Sequence, residues 1–448
     1  MLRRRIPLRR LLVGITAAVA LDSLLVVALP LGPAQTSQPG AATAATGPKN
    51  AAGKLSTAKV RKAVRPLVNS NLGSHVRIAV AGVKGGVVWS YGSGPVTPAS
   101  TMKLLTSAAA LHLMGPDSRF TTSVVDKGRG TDGLHTIVLK GGGDPLLTLH
   151  TSAANAKRPQ LAGLRQLAQI SAKALKAEGV KRVHLRYDAS LFQAPGRAAS
   201  WKPSYATFQA PVQALWSDEG MHNGRPEGTP ALYATKLFAQ QLHGFGIHTV
   251  GSAGGGKAPT SAPVIAAVRS ATLSAQVKWM LRWSDNAVAE VLAHQLGARR
   301  GNGTFAGGAA GVVSGLRQLG IPTAGLHITD GSGLAHSDRV TPAALISVLQ
   351  NAAVPGSEFS SIAQGLPTAG RTGTLKDRFR GRVNTPSRGV VHAKTGSLDG
   401  VDALAGYTVD RNGTTVVFVA IADRAWSDNA AREQLDKIAS ALTRCNCG

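Results

Sequence analysis

The chain has 448 residues, 43% of them apolar and 16% charged, with a formal net charge of +27. That length suits two or three domains at roughly 100–200 residues each, and the composition excludes a collagen, a cystine-framework protein and a globally disordered chain. One long apolar run excludes a polytopic membrane protein, and the charge points to an anionic neighbourhood: nucleic acid, a membrane surface or an acidic polymer.

Residues 1–10, MLRRRIPLRR, hold five Arg and no acid, so the rest of the chain carries +22 of the +27. Residues 11–32 are nearly all apolar, with Asp22 and Ser23 the main interruption. A basic stretch before an apolar one is an export signal, and about 20 such residues also suffice for an uncleaved membrane anchor. Residues 33–58 are rich in Ala, Thr, Pro, Gly and Ser and read as a flexible tether without a core. The chemistry is therefore expected beyond residue 58, outside the cytoplasmic membrane.

Residues 75–81 and 87–91 read as strands of a hairpin around Gly85-Gly86. An apolar helix follows Pro98-Ala99 and stops at Gly115-Pro116. A strand over 135–140 ends in a glycine turn, 160–178 forms an amphipathic helix, 181–187 a strand, and 229–245 a helix. Residues 272–297 form a helical stretch interrupted by Ser284-Asp285-Asn286, followed by helices over 304–319 and 341–353. The end is strand-rich: 388–395, then a hairpin of 402–409 and 414–422, then a helix over 429–443. This order predicts an α+β chain, an α/β/α sandwich whose antiparallel sheet takes strands from both chain ends. Catalytic parts fall at 59–120 and 266–448, with an inserted domain at 121–265.

Three strings carry chemistry. Ser100-Thr101-Met102-Lys103 opens a helix, Ser284-Asp285-Asn286 breaks one, and Lys394-Thr395-Gly396 lies on a strand. S-x-x-K is expected about once by chance in this composition. A second copy, Ser56 to Lys59, falls in the tether. A second Ser-Asp-Asn at 427–429 suits an N-cap of the last helix. In order and on these elements, the three strings are the signature of β-lactamases and penicillin-binding proteins. Ser100 needs a base to become a nucleophile. Lys103 stands on the same helix face, and burial together with a second cation, Lys394, would lower its pKa. Ser284 can relay a proton to a leaving amine, and Asn286 can hold a substrate amide and the Lys103 amine. Lys394 and Thr395 can bind a substrate carboxylate. Beyond Gly396 the strand can pair with an extended peptide, and the Ser397 and Ser100 N–H groups would form an oxyanion hole.

Over residues 60–443 the sequence resembles the class C low-molecular-weight penicillin-binding proteins, the D-alanyl-D-alanine carboxypeptidase/endopeptidase family. Matching segments include Gly141-Gly142-Gly143-Asp144-Pro145, Asp188-x-Ser190-x-Phe192, Ala210-Pro211, Asp330-Gly331-Ser332-Gly333-Leu334, Leu366-Pro367-x-Ala369-Gly370, Gly373-Thr374-Leu375, Ala393-Lys394-Thr395-Gly396-Ser397-Leu398 and Leu404-Ala405-Gly406-Tyr407. The 180 residues between Lys103 and Ser284 match the inserted domain of that family. The stretch from Leu215 to Pro230 is shorter than in fuller members, and Ala335-His336-Ser337-Asp338 replaces a segment that often holds Arg and Asn. The resemblance implies a transpeptidase-like fold and an exported serine DD-carboxypeptidase. It would act on peptidoglycan stem peptides through Ser100, with β-lactams as covalent inhibitors, an anionic cell-envelope surface nearby and no cofactor. A β-lactamase or esterase of the same fold stays open, although Glu358 lacks the expected partner pattern. A non-catalytic wall-binding protein is the third reading.

Other residues carry less. Asp144 and Asp330 lie in glycine-rich turns, where Asp usually bonds local backbone. His392 reads as a packed or a surface residue, Trp283 as a helix-packing residue, and Arg378 as a cation near the substrate carboxylate or a partner of Asp377 or a carbonyl. A bond between Cys445 and Cys447 would close a strained ring and is not expected. No zinc-peptidase, phosphate-loop or dinucleotide motif is present, so no metal is called for. Scattered cations with 4% aromatics do not make a nucleic-acid platform.

Overall fold

The computed structural model describes residues 53–153 and 158–448. The proposed export segment and most of the tether lie outside the described residues. The tether ends earlier than the composition suggests. Leu55 is buried, and Ser56 caps helix α1 (Thr57–Val64) by accepting the Lys59 N–H. The second S-x-x-K is thus a helix cap.

Strands β1 (Val76–Gly82) and β2 (Val87–Tyr91) follow. A single 3-10 turn, Ala99–Thr101, then leads into α2 (Met102–Met114), which ends where Gly115 adopts φ 82°. Next come β3 (Thr121–Arg129), β4 (His135–Lys140), α3 (Leu164–Ala177), β5 (Arg182–Asp188), the short ribbon β6 (Met221–His222) and β7 (Arg225–Pro226), α4 (Pro230–Gly244), β8 (His248–Gly255) and β9 (Val264–Arg269). The chain continues through α5 (Leu273–Trp283), α6 (Asn286–Ala298), α7 (Phe305–Gln318), α8 (Pro342–Ala353) and α9 (Ser360–Gly365). It closes with β10 (His392–Leu398), β11 (Val401–Val409), β12 (Thr415–Asp423) and α10 (Asp428–Arg444), capped by Ser427. The last parallel between sequence and structure is imperfect: 388–391 are not strand, so Lys394-Thr395-Gly396 sits in the middle of β10.

The first sheet has the order β10-β11-β12-β1-β2, all antiparallel, so its strands come from both ends of the chain. Its central strands are apolar on both faces because helices cover both. Ala79 and Ala81 of β1 and Val417, Val419 and Ile421 of β12 share one apolar core with α2, α5, α6, α7 and α8. The alternate residues Ile78, Val80, Val416, Phe418 and Ala420 pack on α1 and α10. Each fully buried aliphatic side chain contributes about 1.5–3 kcal/mol. This is the expected α/β/α sandwich.

Residues 121–269 build a second sheet, β8-β5-β4-β3-β9, with β4–β5 and β5–β8 parallel and the other pairs antiparallel. One face packs on α3 and α4. In α3 the buried Leu164, Leu167, Ala168, Ser171, Ala172 and Leu175 fall at helical spacing.

Two expectations about the C-terminal region are corrected. Cys445 and Cys447 are disulfide-bonded. The chain leaves α10 extended, which puts both side chains on one side with Cα atoms 5.1 Å apart, within the span a disulfide bridges. Arg378 takes a backbone carbonyl, one of the partners expected for it, but its ion pair is with neither Asp377 nor a group at the Lys394 site. It bonds the Asp436 carboxylate at 2.7 Å and the Arg432 carbonyl at 3.1 Å, and the same carboxylate accepts the Phe379 N–H. The pair is nearly enclosed, with side-chain exposures of 12% and 6%. Asp436→Ala is therefore expected to destabilise the protein by about 3–5 kcal/mol, because it strands a buried cation. A urea unfolding curve checks this, and a loss below about 1 kcal/mol contradicts it.

Candidate active site

Four segments converge on one cleft. Ser100 lies on the 3-10 turn before α2, where Ala99 takes φ 46°. Lys103, in the first turn of α2, is fully buried. Its Nζ lies 2.9 Å from Ser100 Oγ, 2.7 Å from Asn286 Oδ1 and 2.8 Å from the Ser332 carbonyl. Burial lowers its pKa to about 8, against the pull of Glu290, Asp330 and Asp285 in the other direction. The contribution expected from Lys394 acts instead on Lys394 itself, whose pKa falls through burial first and the Lys103 charge second.

The break between α5 and α6 places the second segment. Ser284 caps α5 in the left-handed region, at φ 60° and ψ 38°. Such strain in a non-glycine residue concentrates at functional sites. Asp285 holds it from behind, accepting the Val288 N–H at 3.0 Å and the Trp279 indole N–H at 2.9 Å. Ser284 Oγ then meets Lys394 Nζ at 2.8 Å, and Lys394 also donates to the Thr395 carbonyl at 2.6 Å.

The third segment is β10, an edge strand. The Ala393 N–H turns outward to the Pro367 carbonyl, so the pleat directs the Thr395 and Ser397 N–H groups to the same outer edge. Gly396 is required by proximity: a Cβ there would meet the Pro98 carbonyl at 2.9 Å and Ala99 Cβ at 3.1 Å. The strand therefore lies against the turn that carries Ser100. Thr395 Oγ1 is 2.8 Å from Thr374 Oγ1.

The fourth segment is the turn Asp330–Leu334. Asp330 accepts the N–H groups of Ser332, Gly333 and Ala335 and the Trp201 indole N–H. It is the local backbone role expected of it. Asp144 does the same for Leu146 at 3.0 Å, and burial pushes it up to about 7. His392 is packed as expected, stacked on Tyr407 with ring centres 5.1 Å apart, and burial lowers it to about 4. Trp283 packs on Trp279 of the same helix, with ring centres 5.8 Å apart, but is 48% exposed. Glu358 sits on an exposed contact with His112.

Ser100, Lys103, Ser284, Asn286, Lys394, Thr395, Gly396 and Ser397 are thus brought together. Two buried acids were not read from the sequence. Glu290 is fully buried beside Lys103, and its position four residues after Asn286 in the apolar run Ala287–Leu292 was the available signal. Asp402 lies opposite Ser397 in the β10–β11 register. It accepts the Ser397 hydroxyl at 2.7 Å and Arg432 at 3.3 Å. Nothing in the sequence marked that cross-strand pair.

A serine bonded to a buried lysine, a serine bonded to a second lysine and an edge strand beside both can perform acyl transfer. The fold and these contacts define a serine acyltransferase of the penicillin-binding-protein and β-lactamase class. Residues 66–227 and 223–445 match the model of the D-Ala-D-Ala carboxypeptidase 3 (S13) family, and the chain belongs to that family. The chain is 31% identical over 394 residues to Carboxypeptidase DacB of Mycolicibacterium smegmatis, a match covering 85% of this chain and 83% of the relative. It is also 31% identical over 394 residues to a D-alanyl-D-alanine carboxypeptidase of an Actinomadura species, covering 70% of this chain and 71% of that one. The crystal structure of penicillin-binding protein 4 from Haemophilus influenzae superposes with a TM-score of 0.70 at 22% identity, covering 85% of this chain and 97% of that one.

Proposed function

We propose that this protein is an exported serine D-Ala-D-Ala carboxypeptidase that trims peptidoglycan stem peptides. The observation that carries the reading is the setting of Lys103. A neutral amine has two N–H bonds and one lone pair. Asn286 Oδ1 and the Ser332 carbonyl take the two N–H bonds, at 2.7 and 2.8 Å, which leaves the lone pair directed at the Ser100 hydroxyl. Lys103 accepts the Ser100 proton as Oγ bonds to the carbonyl carbon of the penultimate D-Ala. The oxyanion lies between the Ser100 and Ser397 N–H groups. Ser284, bonded to Lys394, relays to the leaving D-Ala nitrogen, as the C–N bond breaks, the proton that Lys103 took from Ser100, so Lys103 is again a free amine and Ser284 again a hydroxyl. Water, giving a proton to Lys103, then attacks the Ser100 ester, and that proton returns to Ser100 Oγ as its C–O bond breaks. Thr395 and Lys394 receive the terminal carboxylate of the substrate.

The same steps cut the D-Ala amide of a peptide cross-link, so endopeptidase action belongs to the proposal. A β-lactam follows the first steps too, but its amine stays tethered to the acyl group, so the ester persists. The arginine-rich start supports export, and the remaining positive charge suits an anionic cell envelope.

Incubation with an acyl-D-Ala-D-Ala peptide and, separately, with labelled penicillin tests the reading. Release of D-Ala with persistent penicillin labelling is expected. Rapid penicillin turnover without D-Ala release would support a β-lactamase instead, and the absence of both reactions a wall-binding protein. Because the neutral amine is the active form and its pKa is about 8, acylation is expected to rise with pH and level off above about 8. A rate already flat through neutral pH contradicts this.

A further inference from the structure

Glu290 is a fully buried titratable group beside the reacting atoms, and the proposed steps assign it no part. It lies on α6 one helical turn after Asn286, so the two side chains share a face. Asn286 reaches Lys103 directly. Glu290 reaches it through the turn Asp330–Leu334: Oε2 accepts the Gly331 N–H at 3.1 Å and Oε1 accepts the Ser332 N–H at 2.9 Å. The carbonyl of that same Ser332 accepts Lys103 Nζ. The turn is pressed close to the helix, since a Cβ on Gly331 would meet the Ala289 carbonyl at 2.6 Å. From the other side, Thr106 of α2 donates its hydroxyl to the Gly331 carbonyl at 2.7 Å.

We infer that Glu290 is a positioning residue for catalysis: by clamping the Gly331 and Ser332 N–H groups it fixes the Ser332 carbonyl that orients the Lys103 amine toward Ser100. A second consequence is electrostatic. Lys103 faces Ser100 on its own segment, Asp285, Asn286 and Glu290 from the α6 side, Asp330 and Ser332 from the turn, and Ser284 and Lys394 across the cleft. Asp338 faces Asp330 behind the turn. Among the carboxyl groups that raise the Lys103 pKa, Glu290 acts most strongly. Burial and the Asp330 carboxylate in turn push Glu290 up to about 8. A neutral side chain at 290 removes the form of the pair in which the ammonium is held by an anion, so the free amine appears at lower pH.

This inference rests on the Ser100 acyl-enzyme reading. Its test is the rate of Ser100 acylation by labelled penicillin across a pH series, for the full chain and two variants. Glu290→Gln keeps the shape but offers an amide N–H where an acceptor is needed. It is expected to lower the plateau rate about 10²-fold, as for a misplacement near 1 Å. The rising limb should move to lower pH, with the non-covalent affinity for penicillin unchanged. Thr106→Val loosens the same turn without altering charge, so the rate should fall and the limb should stay. Wild-type rate and limb in Glu290→Gln overturn the inference. So does a slower Glu290→Gln with an unmoved limb, which would make Glu290 a purely structural residue. If Glu290→Gln does not fold, Thr106→Val decides, and a wild-type rate in it overturns the inference. Failure of the wild-type protein to acylate at Ser100 defeats the functional reading instead.

Discussion

Lys103→Met is expected to slow acylation of Ser100 by roughly 10²–10⁴-fold, the usual contribution of a positioned general base. Methionine matches the unbranched shape of lysine and suits a fully buried position on a helix whose first ten residues are all buried. Folding should survive, because Glu290, already pushed up to about 8, can hold a proton once the buried cation is gone, so no charge is left unpaired there. The Asn286 and Ser332 oxygens lose a donor, at some cost in stability. What disappears is the lone pair facing Ser100. The pH dependence through about 8 should vanish with it, while reversible penicillin binding through Lys394 and Thr395 persists. Single-turnover labelling separates these effects. A rate within tenfold of wild type contradicts the assignment of the base.

Gly333→Ala is expected to lower acylation about 10²-fold without touching any group that contacts substrate. Gly333 holds φ 80°, and a Cβ there would lie 1.9 Å from the Ala99 carbonyl oxygen, 2.6 Å from its carbon and 2.8 Å from Met102 Cβ. The obstruction is mainly backbone on one side, so no rotamer change relieves it. Either the turn with the Ser332 carbonyl retreats or the turn that carries Ser100 does. Both movements separate Lys103 from its geometry. Acylation kinetics beside a thermal melt check this, and unchanged kinetics would contradict the close seating of the two turns.

How much of this was legible depended on the range of the interaction. The contact of Ser100 with Lys103 is local, three residues along one helix, and S-x-x-K states it outright. Ser284 and Lys394 could be joined to it only through motif order, yet their bond at 2.8 Å is as the chemistry required. The strands β1, β2 and β4 hold compact apolar runs and β5 alternates, so all four are readable. By contrast β8 holds Gly251, Gly254 and Gly255 and has no alternation of buried and exposed residues. Strand β3 ends in the polar Asp126–Arg129. Strand β8 is held by β5, far back along the chain, and β3 lies between its neighbour β4 and the distant β9, pairings that no local pattern encodes. Pairing of Cys445 with Cys447 was misjudged from ring size, whereas the extended exit from α10 brings the two within reach. For Arg378 the sequence leaves the substrate carboxylate, Asp377 and a carbonyl open; the fold gives it the Arg432 carbonyl and, unforeseen, Asp436, 58 residues away.

The buried acids show the same limit from the other side. Glu290 acts on Lys103 through backbone N–H groups of a turn that lies 41 and 42 residues away. A turn recognised as Asp-Gly-Ser-Gly-Leu does not reveal which side chain secures it. Asp402 meets Ser397 only because the hairpin register sets them opposite each other.

The central claim is a covalent bond between Ser100 Oγ and the substrate acyl group. Mass spectrometry of the full chain after brief exposure to penicillin, followed by proteolysis and mapping of the adduct, addresses it most directly. The account predicts one added penicilloyl mass, located on the peptide that contains Ser100 and absent from Ser100→Ala. An adduct on another residue, or one retained in Ser100→Ala, would contradict it.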